Sequence, residues 1–559
     1  MEEYYQELIR GIINKKLDLK KALKLRRELA RKYKPEVFPS IIQILCNADD
    51  KQISKLKHLI TKPSRTISGV SVIAIMTKPI KCPHGKCLPC PGGPESFFGS
   101  VPQSYTGKEP ATMRAIRNFY DPYLQVFNRL QQYVLMDRVP DKIELILMGG
   151  TFPSFPKSYQ EEFVKYAFKA LNDFGKIFYQ KDKLQFEKFK KFFELPGDMN
   201  DKTREENIKA KVLKLKERCD LSVEQKKNEK SKLRCVALCI ETRSDYCGKK
   251  EIDQMLRLGV TRVELGVQSV YDEVLEKMER GHSVEDSVRA TQLLKDSFLK
   301  IGYHMMPGLP GSTAEKDVQM FKELFSNQDF MPDALKIYPC MILKGTKLYE
   351  LWKKGEFKPL TTDEAVRIIF EAKKSIPKFC RVLRIQRDIP TKITEAGVGI
   401  TNLRQKVHES MEKENVRCNC IRCREPRNRK ISFENVRLLR YDYDASDGKE
   451  VFLSFEDVKN DIILGFCRLR VPYKPFRKEI TKNSVGIREL HVYGKAAPIG
   501  KKGDIQHKGY GKELLSEAEK ISKKEFNAKK ILIISGIGVK EYYKKLNYKK
   551  DGVYMSKNL

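Results

Sequence analysis

The stretch IELILMGGT, residues 143–151, is an apolar run of strand length that ends in two glycines and a threonine. Such a run suits a strand buried on both faces, and its glycines leave bare backbone where a polar ligand can approach. The pattern recurs downstream. The run 236–240 ends in Glu241-Thr242-Arg243, 263–267 in Gln268-Ser269, 301–306 in Pro307-Gly308-Leu309-Pro310-Gly311, and 335–338 in Pro339. Residues 70–76 form another strand-sized run. Helical patterns fill the gaps, over 161–171, 250–258, 283–297 and 314–324. Strands alternating with helices predict a parallel α/β barrel. The polar residues fall just past the strand ends, at the rim where such barrels carry their chemistry.

Ahead of these strands lies KCPHGKCLPCPGG, residues 81–93, which places Cys82, Cys87 and Cys90 in C-x4-C-x2-C spacing among prolines and glycines. That composition makes a stiff loop and lets backbone come close to a bulky group. Structural zinc needs four ligands, and His84 could complete such a set. Three thiolates alone suit a cubane iron–sulfur cluster with one iron left open. A second triplet, Cys418, Cys420 and Cys423, lies in RCNCIRCRE. The start, MEEYYQELIR, lacks a basic segment followed by an apolar one, so no secretory signal is expected. No apolar run approaches the roughly 20 residues that span a bilayer. Tight cysteine clusters in such a chain point to metals rather than disulfides, and to a cytoplasmic protein.

The chain has 559 residues, enough for about two to four domains, and is 41% hydrophobic, which excludes a disordered polyelectrolyte. Its 108 Lys and Arg against 73 Asp and Glu leave a net charge of +35, a one-signed surplus that suits a polyanion such as nucleic acid. Residues 1–66 hold 16 basic and 8 acidic side chains and read as short helices, 7–13 and 19–33. From about residue 431 the pattern changes to antiparallel-type runs, 451–455, 462–471 and 486–493. The turn Gln506-His507-Lys508-Gly509-Tyr510-Gly511 then opens an amphipathic segment, 512–520, and a run 531–535 and a helix 541–546 follow. Unobstructed amides at a helix start make a cradle for a pyrophosphate.

The three-Cys loop, the glycine-ended strand and the later strand-end polar residues resemble the radical S-adenosylmethionine (SAM) enzymes. Gln-x-x-Gly-x-Gly after the strand Arg488-Glu489-Leu490-His491-Val492 resembles the acetyl-CoA loop of the GNAT acetyltransferases. Together they resemble the family of the Elongator catalytic subunit and its archaeal single-chain relatives. Further stretches that look like that family are QSYTGKEPATMRA (103–115), YDPYLQ (120–125), IETRSDYC (240–247), ELGVQSVYDEV (264–274), HMMPGLPG (304–311), LKIYP (335–339), RIQRDIP (384–390), RELHVYG (488–494) and QHKGYGKELL (506–515). The fold implied is α/β: a partial parallel radical SAM barrel (67–400), a Cys-rich zinc linker (401–430) and a mixed α+β GNAT domain (431–559), behind a basic helical tRNA-binding region (1–66). The stretch 181–232, Lys/Glu-rich and helical, looks longer than the family's usual connection and is expected to be a solvated insertion.

The resemblance implies an enzyme that places a carboxymethyl group on carbon 5 of the wobble uridine of tRNA, with acetyl-CoA as the carbon donor. Cys82, Cys87 and Cys90 would hold a [4Fe–4S] cluster whose open iron binds SAM. A deoxyadenosyl radical would take a hydrogen from the acetyl methyl group, and the carbon radical would add to the base before the thioester is hydrolysed. Gly149, Gly150 and Thr151 would lie at the SAM amino group, with Glu241, Arg243 and Gln268 as further contacts. Residues Glu489, Leu490, His491 and Val492, with Gln506, His507, Lys508, Gly509, Tyr510 and Gly511, would hold acetyl-CoA. Tyr542 and Tyr543 fall where the family places tyrosines near the thioester. Two adjacent tyrosines on a helix cannot both face inward.

Lys336, in an apolar strand, is expensive to bury without a role or partner, so it is expected either to meet substrate or to pair with a barrel carboxylate. For zinc at Cys418, Cys420 and Cys423 the fourth ligand is expected to be Cys340, with His408 the alternative. Lys15, Lys16, Lys20 and Lys21 are expected to meet tRNA phosphates near the anticodon stem-loop. A homodimer and further subunits are left open. The competing readings are a protein lysine acetyltransferase with a structural radical domain, and a non-catalytic RNA-binding protein.

Overall fold

The computed structural model describes residues 2–35, 38–39, 41–56, 59, 69–136, 140–197, 201–427, 429–493 and 509–559. Gln506, His507 and Lys508 lie outside these residues. Seven strands, β1 (Val70–Met76), β2 (Lys142–Met148), β3 (Arg234–Thr242), β4 (Arg262–Gln268), β5 (Lys300–Met305), β6 (Ala334–Ile337) and β7 (Arg381–Ile385), pair in sequence order, each parallel to the next. No pairing closes β7 onto β1 among the described residues, so the sheet is a partial barrel. Helices cross between the strands. Several start on side-chain caps: Asp121 before Pro122–Leu135, and capping boxes at Ser283 and Thr361.

A second sheet of seven strands follows in the order β8-β9-β10-β11-β12-β14-β13. Its members are β8 (Val436–Ala445), β9 (Gly448–Asp457), β10 (Ile462–Val471), β11 (Ser484–Val492), β12 (Lys530–Ile533), β13 (Lys549–Asp551) and β14 (Tyr554–Asn558). All its pairs are antiparallel except β11 with β12, whose parallel pairing needs a crossover. The helix Tyr510–Lys524 provides it.

The two sheets share a core: Phe452, Phe466, Leu532, Ile537 and Tyr554 pack in one apolar cluster with barrel residues such as Leu238, Phe298 and Leu335. A buried chain of ion pairs also crosses the junction. Arg488 reaches Asp333 (2.6 Å) and Glu450 (2.9 Å), and Arg470 reaches Asp296 (2.5 Å) and Glu450 (3.1 Å). Breaking one such buried pair strands a charge, so the junction tolerates little separation.

The N-terminal helices Glu2–Asn14 and Leu19–Tyr33 have their own core around Tyr4, Leu8, Ile9 and Leu29. Lys15, Lys16, Lys20 and Lys21 are exposed where the two helices meet. No helix among the described residues is long and apolar enough to cross a membrane.

The insertion differs from its expectation. Its helices Phe186–Phe192, Lys202–Lys214 and Leu221–Asn228 turn most of their charges outward, but Arg204 and Glu224 are buried, and Phe189 and Phe193 are buried against Phe174 and Phe178 of the helix Lys157–Phe178. Asn228 Nδ2 donates to Asn172 Oδ1 (2.8 Å) and to the Leu233 carbonyl (2.9 Å). The insertion is docked rather than solvated, because a minority of aromatic and amide residues does the packing.

Candidate active site between two sheets

A cavity of about 1260 Å³ runs from the ends of the barrel strands to the second sheet. It exceeds the about 300–1,000 Å³ typical of a site for one small ligand. The wall on the barrel side includes Cys82, Gly150, Thr151, Glu241, Gln268 and Lys336. The facing wall includes His491, Val492, Gly509, Gly511 and Tyr542. The sequence-predicted residues for two cofactors therefore border one space.

At the barrel end, the cysteine loop sits over the glycine-ended β2. Gly149 has φ +118, and a Cβ there would collide with Thr77 Oγ1; a Cβ on Gly150, φ +98, would lie 4.0 Å from Cys82 Sγ. The positive φ at both positions, and the Thr77 hydroxyl beside Gly149, favour glycine there. Cys82 contacts the Thr151 hydroxyl at 3.6 Å, and Cys90 accepts from the Ser104 amide at 3.3 Å. Burial pushes both of these thiols up. The three sulfurs do not converge within the 4.8 Å that joins Cys418, Cys420 and Cys423. Ligands on three corners of a cubane stand further apart than ligands on one ion, so the donor set fits a [4Fe–4S] cluster better than zinc. Gln268 has φ +73 and carries a buried Oε1 with no partner at the cavity wall, as a residue awaiting a ligand would.

Lys336 pairs with Glu241 at 2.6 Å and with Glu264. His304 Nε2 lies 2.8 Å from Glu264, and the Tyr105 hydroxyl donates to Glu241 at 3.0 Å. Glu241, Glu264, His304 and Lys336 come from the neighbouring strands β3, β4, β5 and β6, and Tyr105 from a loop. Burial works against every charge here, but the mutual attraction holds Lys336 protonated and both carboxylates ionised. Arg243, also expected at SAM, lines the same cavity and bonds Asp245 (2.8 Å) and the carbonyls of Arg280 (2.7 Å) and Gly281 (2.9 Å). Arg280-Gly281-His282, against the cysteine loop, drew no expectation because a loop tripeptide has no periodicity. Glu264 and His304 drew none either, although an acid inside an apolar strand carries the same signal as Lys336.

At the far wall, Gly509 (φ +98) and Gly511 open the helix Tyr510–Lys524, so its first amides face the cavity. A Cβ on Gly511 would lie 3.4 Å from the Tyr542 hydroxyl. Tyr543 is packed into the second core, whereas Tyr542 is only half-buried, so the pair divides as its helical spacing demands. Glu489 bridges to Lys300 and to Arg468 (2.9 Å), tying β11 to β5. His491 stacks on Phe466, and burial pulls its pKa down to about 4, leaving a neutral imidazole with an unpartnered Nε2.

The second triplet lies in the segment that joins the sheets. Its three sulfurs converge, and Lys373 Nζ stands 3.5 Å from Cys423. Burial disfavours that ammonium, but the three sulfurs outweigh it and raise its pKa. Cys340 is not among them. It is buried in an apolar cluster with Cys87, Leu309, Ile342 and Leu348, on the side of the first triplet. A thiol just past β6 faces the barrel mouth, as the strand-end rule requires, and therefore away from the linker. Cys340 therefore does not stand with the linker triplet as its expected fourth ligand.

The family model for the radical SAM superfamily matches residues 81–324, and that for its C-terminal domain matches 332–413. A tRNA uridine(34) acetyltransferase of Methanocaldococcus infernus is 50% identical over 556 residues, 98% of this chain and 96% of that one. The Elongator complex protein 3 of Schizosaccharomyces pombe is 40% identical over 571 residues, 99% of this chain and 97% of its own. This chain belongs to the Elongator complex protein 3 family. A solved structure of that family, the archaeal Methanocaldococcus infernus Elp3 with an N-terminal deletion, superposes with a TM-score of 0.72 at 46% identity, covering 88% of this chain and all of the other. Membership makes a [4Fe–4S] cluster and SAM the expected partners of the first cysteine loop, which its geometry suits.

Proposed function

We propose that the chain is a tRNA carboxymethyluridine synthase, placing a carboxymethyl group on carbon 5 of the wobble uridine. The observation that carries this reading is the single cavity bordered by the cysteine loop on one side and the glycine-opened helix on the other. The names of the relatives, tRNA uridine(34) acetyltransferase and Elongator complex protein 3, support tRNA as substrate. The bound cofactors would supply a deoxyadenosyl radical and an acetyl thioester. The protein's residues supply position and charge. Cys82, Cys87 and Cys90 would hold the cluster, and Gly149, Gly150, Thr151 and Gln268 the SAM beside it. Gly509, Gly511 and the helix amides, with Gln506, His507 and Lys508, would hold the pyrophosphate of acetyl-CoA, and Tyr542 the thioester end. Lys336, fixed by Glu241 and Glu264, would present an ammonium to the base, and Arg243 would act through the loop it fastens.

Zinc in the linker and tRNA phosphates on Lys15, Lys16, Lys20 and Lys21 belong to the same reading. The deciding experiment incubates tRNA with the protein, SAM, acetyl-CoA and a reductant, and analyses nucleosides by mass spectrometry. A carboxymethyl adduct on uridine is expected, and Cys87→Ala is expected to abolish it. Modification that survives Cys87→Ala would sink the radical route. Peptide lysine acetylation without RNA modification would favour a protein acetyltransferase.

A further inference from the structure

The loop that carries the first cysteine triplet is gripped by a segment the proposed function leaves unused, Arg280-Gly281-His282. Arg280 is buried. Its Nη2 donates to the Gly266 carbonyl at 2.7 Å and its Nε to His282 Nε2 at 3.0 Å. Those two bonds fix the guanidinium so that Nη1 points at Cys87 Sγ, 3.7 Å away. The same sulfur is met by His84 Nε2 at 3.1 Å. Gly281 has φ +70, and a Cβ on it would lie 2.9 Å from His84 Cβ, so the missing side chain is what lets the segment lie against the imidazole. Arg243 clamps the carbonyls of Arg280 and Gly281. The other thiols meet neutral groups, Cys90 the Ser104 amide (3.3 Å) and the Gln103 side-chain amide (3.1 Å), and Cys82 the Thr151 hydroxyl (3.6 Å). One sulfur of three therefore receives both a cation and a ring nitrogen.

We propose that Arg280 and His84 set the reduction potential of the cluster through the Cys87 sulfur, raising it above the value that bare thiolate ligation would give. This rests on the reading that Cys82, Cys87 and Cys90 hold a [4Fe–4S] cluster. Reduction adds negative charge to the cluster and its sulfurs. A fixed cation and an N–H donor favour that state over the oxidised one. A thiolate can only accept, so with the cluster bound His84 must carry its proton on Nε2. The buried Nδ1, which has no partner, is then the bare lone pair. Neither residue needs to touch substrate; both act through the ligand.

The test uses the full chain with its cluster reconstituted anaerobically from iron and sulfide, in a redox titration followed by electron paramagnetic resonance. Arg280→Gln and His84→Ala are expected to lower the midpoint potential at unchanged iron and sulfide content. Arg280→Lys and His84→Gln, which restore a cation or an N–H donor, are expected to recover part of the shift. A purely structural role would not follow that order. Midpoints unmoved in Arg280→Gln and His84→Ala at full iron content would overturn the proposal. Should those variants lose the cluster, the wild-type chain carries the test: with 15N-labelled histidine, pulsed resonance of the reduced cluster is expected to show a nitrogen coupling, and its absence overturns the role of His84. A chain that binds no cluster refutes the underlying reading instead, a result distinct from a cluster with an unmoved potential.

Discussion

Cys418, Cys420 and Cys423 draw their sulfurs within 4.8 Å of one another, whereas Cys82, Cys87 and Cys90 stand apart, with Cys82 on the wall of the cavity. The spacings, C-x-C-x2-C and C-x4-C-x2-C, differ little on paper. Their surroundings differ more. The linker triplet closes at the start of a short helical turn, Ile421–Arg424, with Lys373 as its counter-charge. The barrel triplet rides a proline-rich loop over two positive-φ glycines and meets Thr151 past β2, Ser104 and Arg280 from two loops, and His84 of its own loop. A thiol triplet is thus closed or open according to what the neighbouring backbone leaves room for. The closed one fits a structural ion and the open one a reactive cluster.

The strongest challenge to this contrast is to exchange the losses. Cys87→Ala is expected to remove iron and all uridine modification while zinc content stays. Cys420→Ala is expected to remove zinc and lower the melting temperature while iron stays. Metal analysis of the two variants reads both at once, and iron lost from Cys420→Ala would break the distinction. If the linker triplet serves the junction of the sheets, damage elsewhere on that junction should resemble its loss. Arg488→Met, which leaves Asp333 and Glu450 short of a buried partner, is expected to cost about 3–5 kcal/mol in denaturant unfolding. A smaller effect isolates the counter-charge: Lys373→Met is expected to weaken zinc about 10–100-fold in a chelator competition, as loss of a supporting group around a metal does. The smallest is a pH effect. Burial opposes the Glu489 carboxylate, yet Lys300 and Arg468 pull its pKa down to about 2. A depressed carboxylate stabilises fully above its ordinary range near 4.5 and loses that contribution as pH falls toward 2. Melting temperature followed from pH 5 to pH 2 should therefore fall less in Glu489→Gln than in the wild type.

The legible parts of this molecule are those in which burial writes a pattern. Strands β2 to β6 are apolar runs with polar ends, and each lies within a residue or two of its expectation. The strand β7, RVLRI, and the edge strand β8, VRLLRYDYDA, went unseen because exposed faces fill them with arginine and aspartate. The cysteine loops, the glycine pairs and the tyrosine pair were visible as residue types at fixed spacing. Cys340 was misplaced because spacing says nothing about which side of a strand end faces which loop. Arg280 meets Cys87 from 193 residues away in the chain and His84 from three, and neither separation is a signal. In the insertion, lysine and glutamate outnumber the phenylalanines that dock it.

Gly536 and Gly538 of the second domain lie directly on β3. A Cβ on Gly536 would collide with the Val236 carbonyl, and one on Gly538 would lie 2.9 Å from the Cys235 amide nitrogen. At these two points the second domain's backbone comes almost onto that of β3, adding a close approach to the shared core and buried ion pairs that already join the two sheets. The span from the cysteine loop to the glycine-opened helix is then a fixed gauge. Any reactant that must serve both ends has to bring its own slack, and an extended, flexible carrier arm has more of it than the protein does.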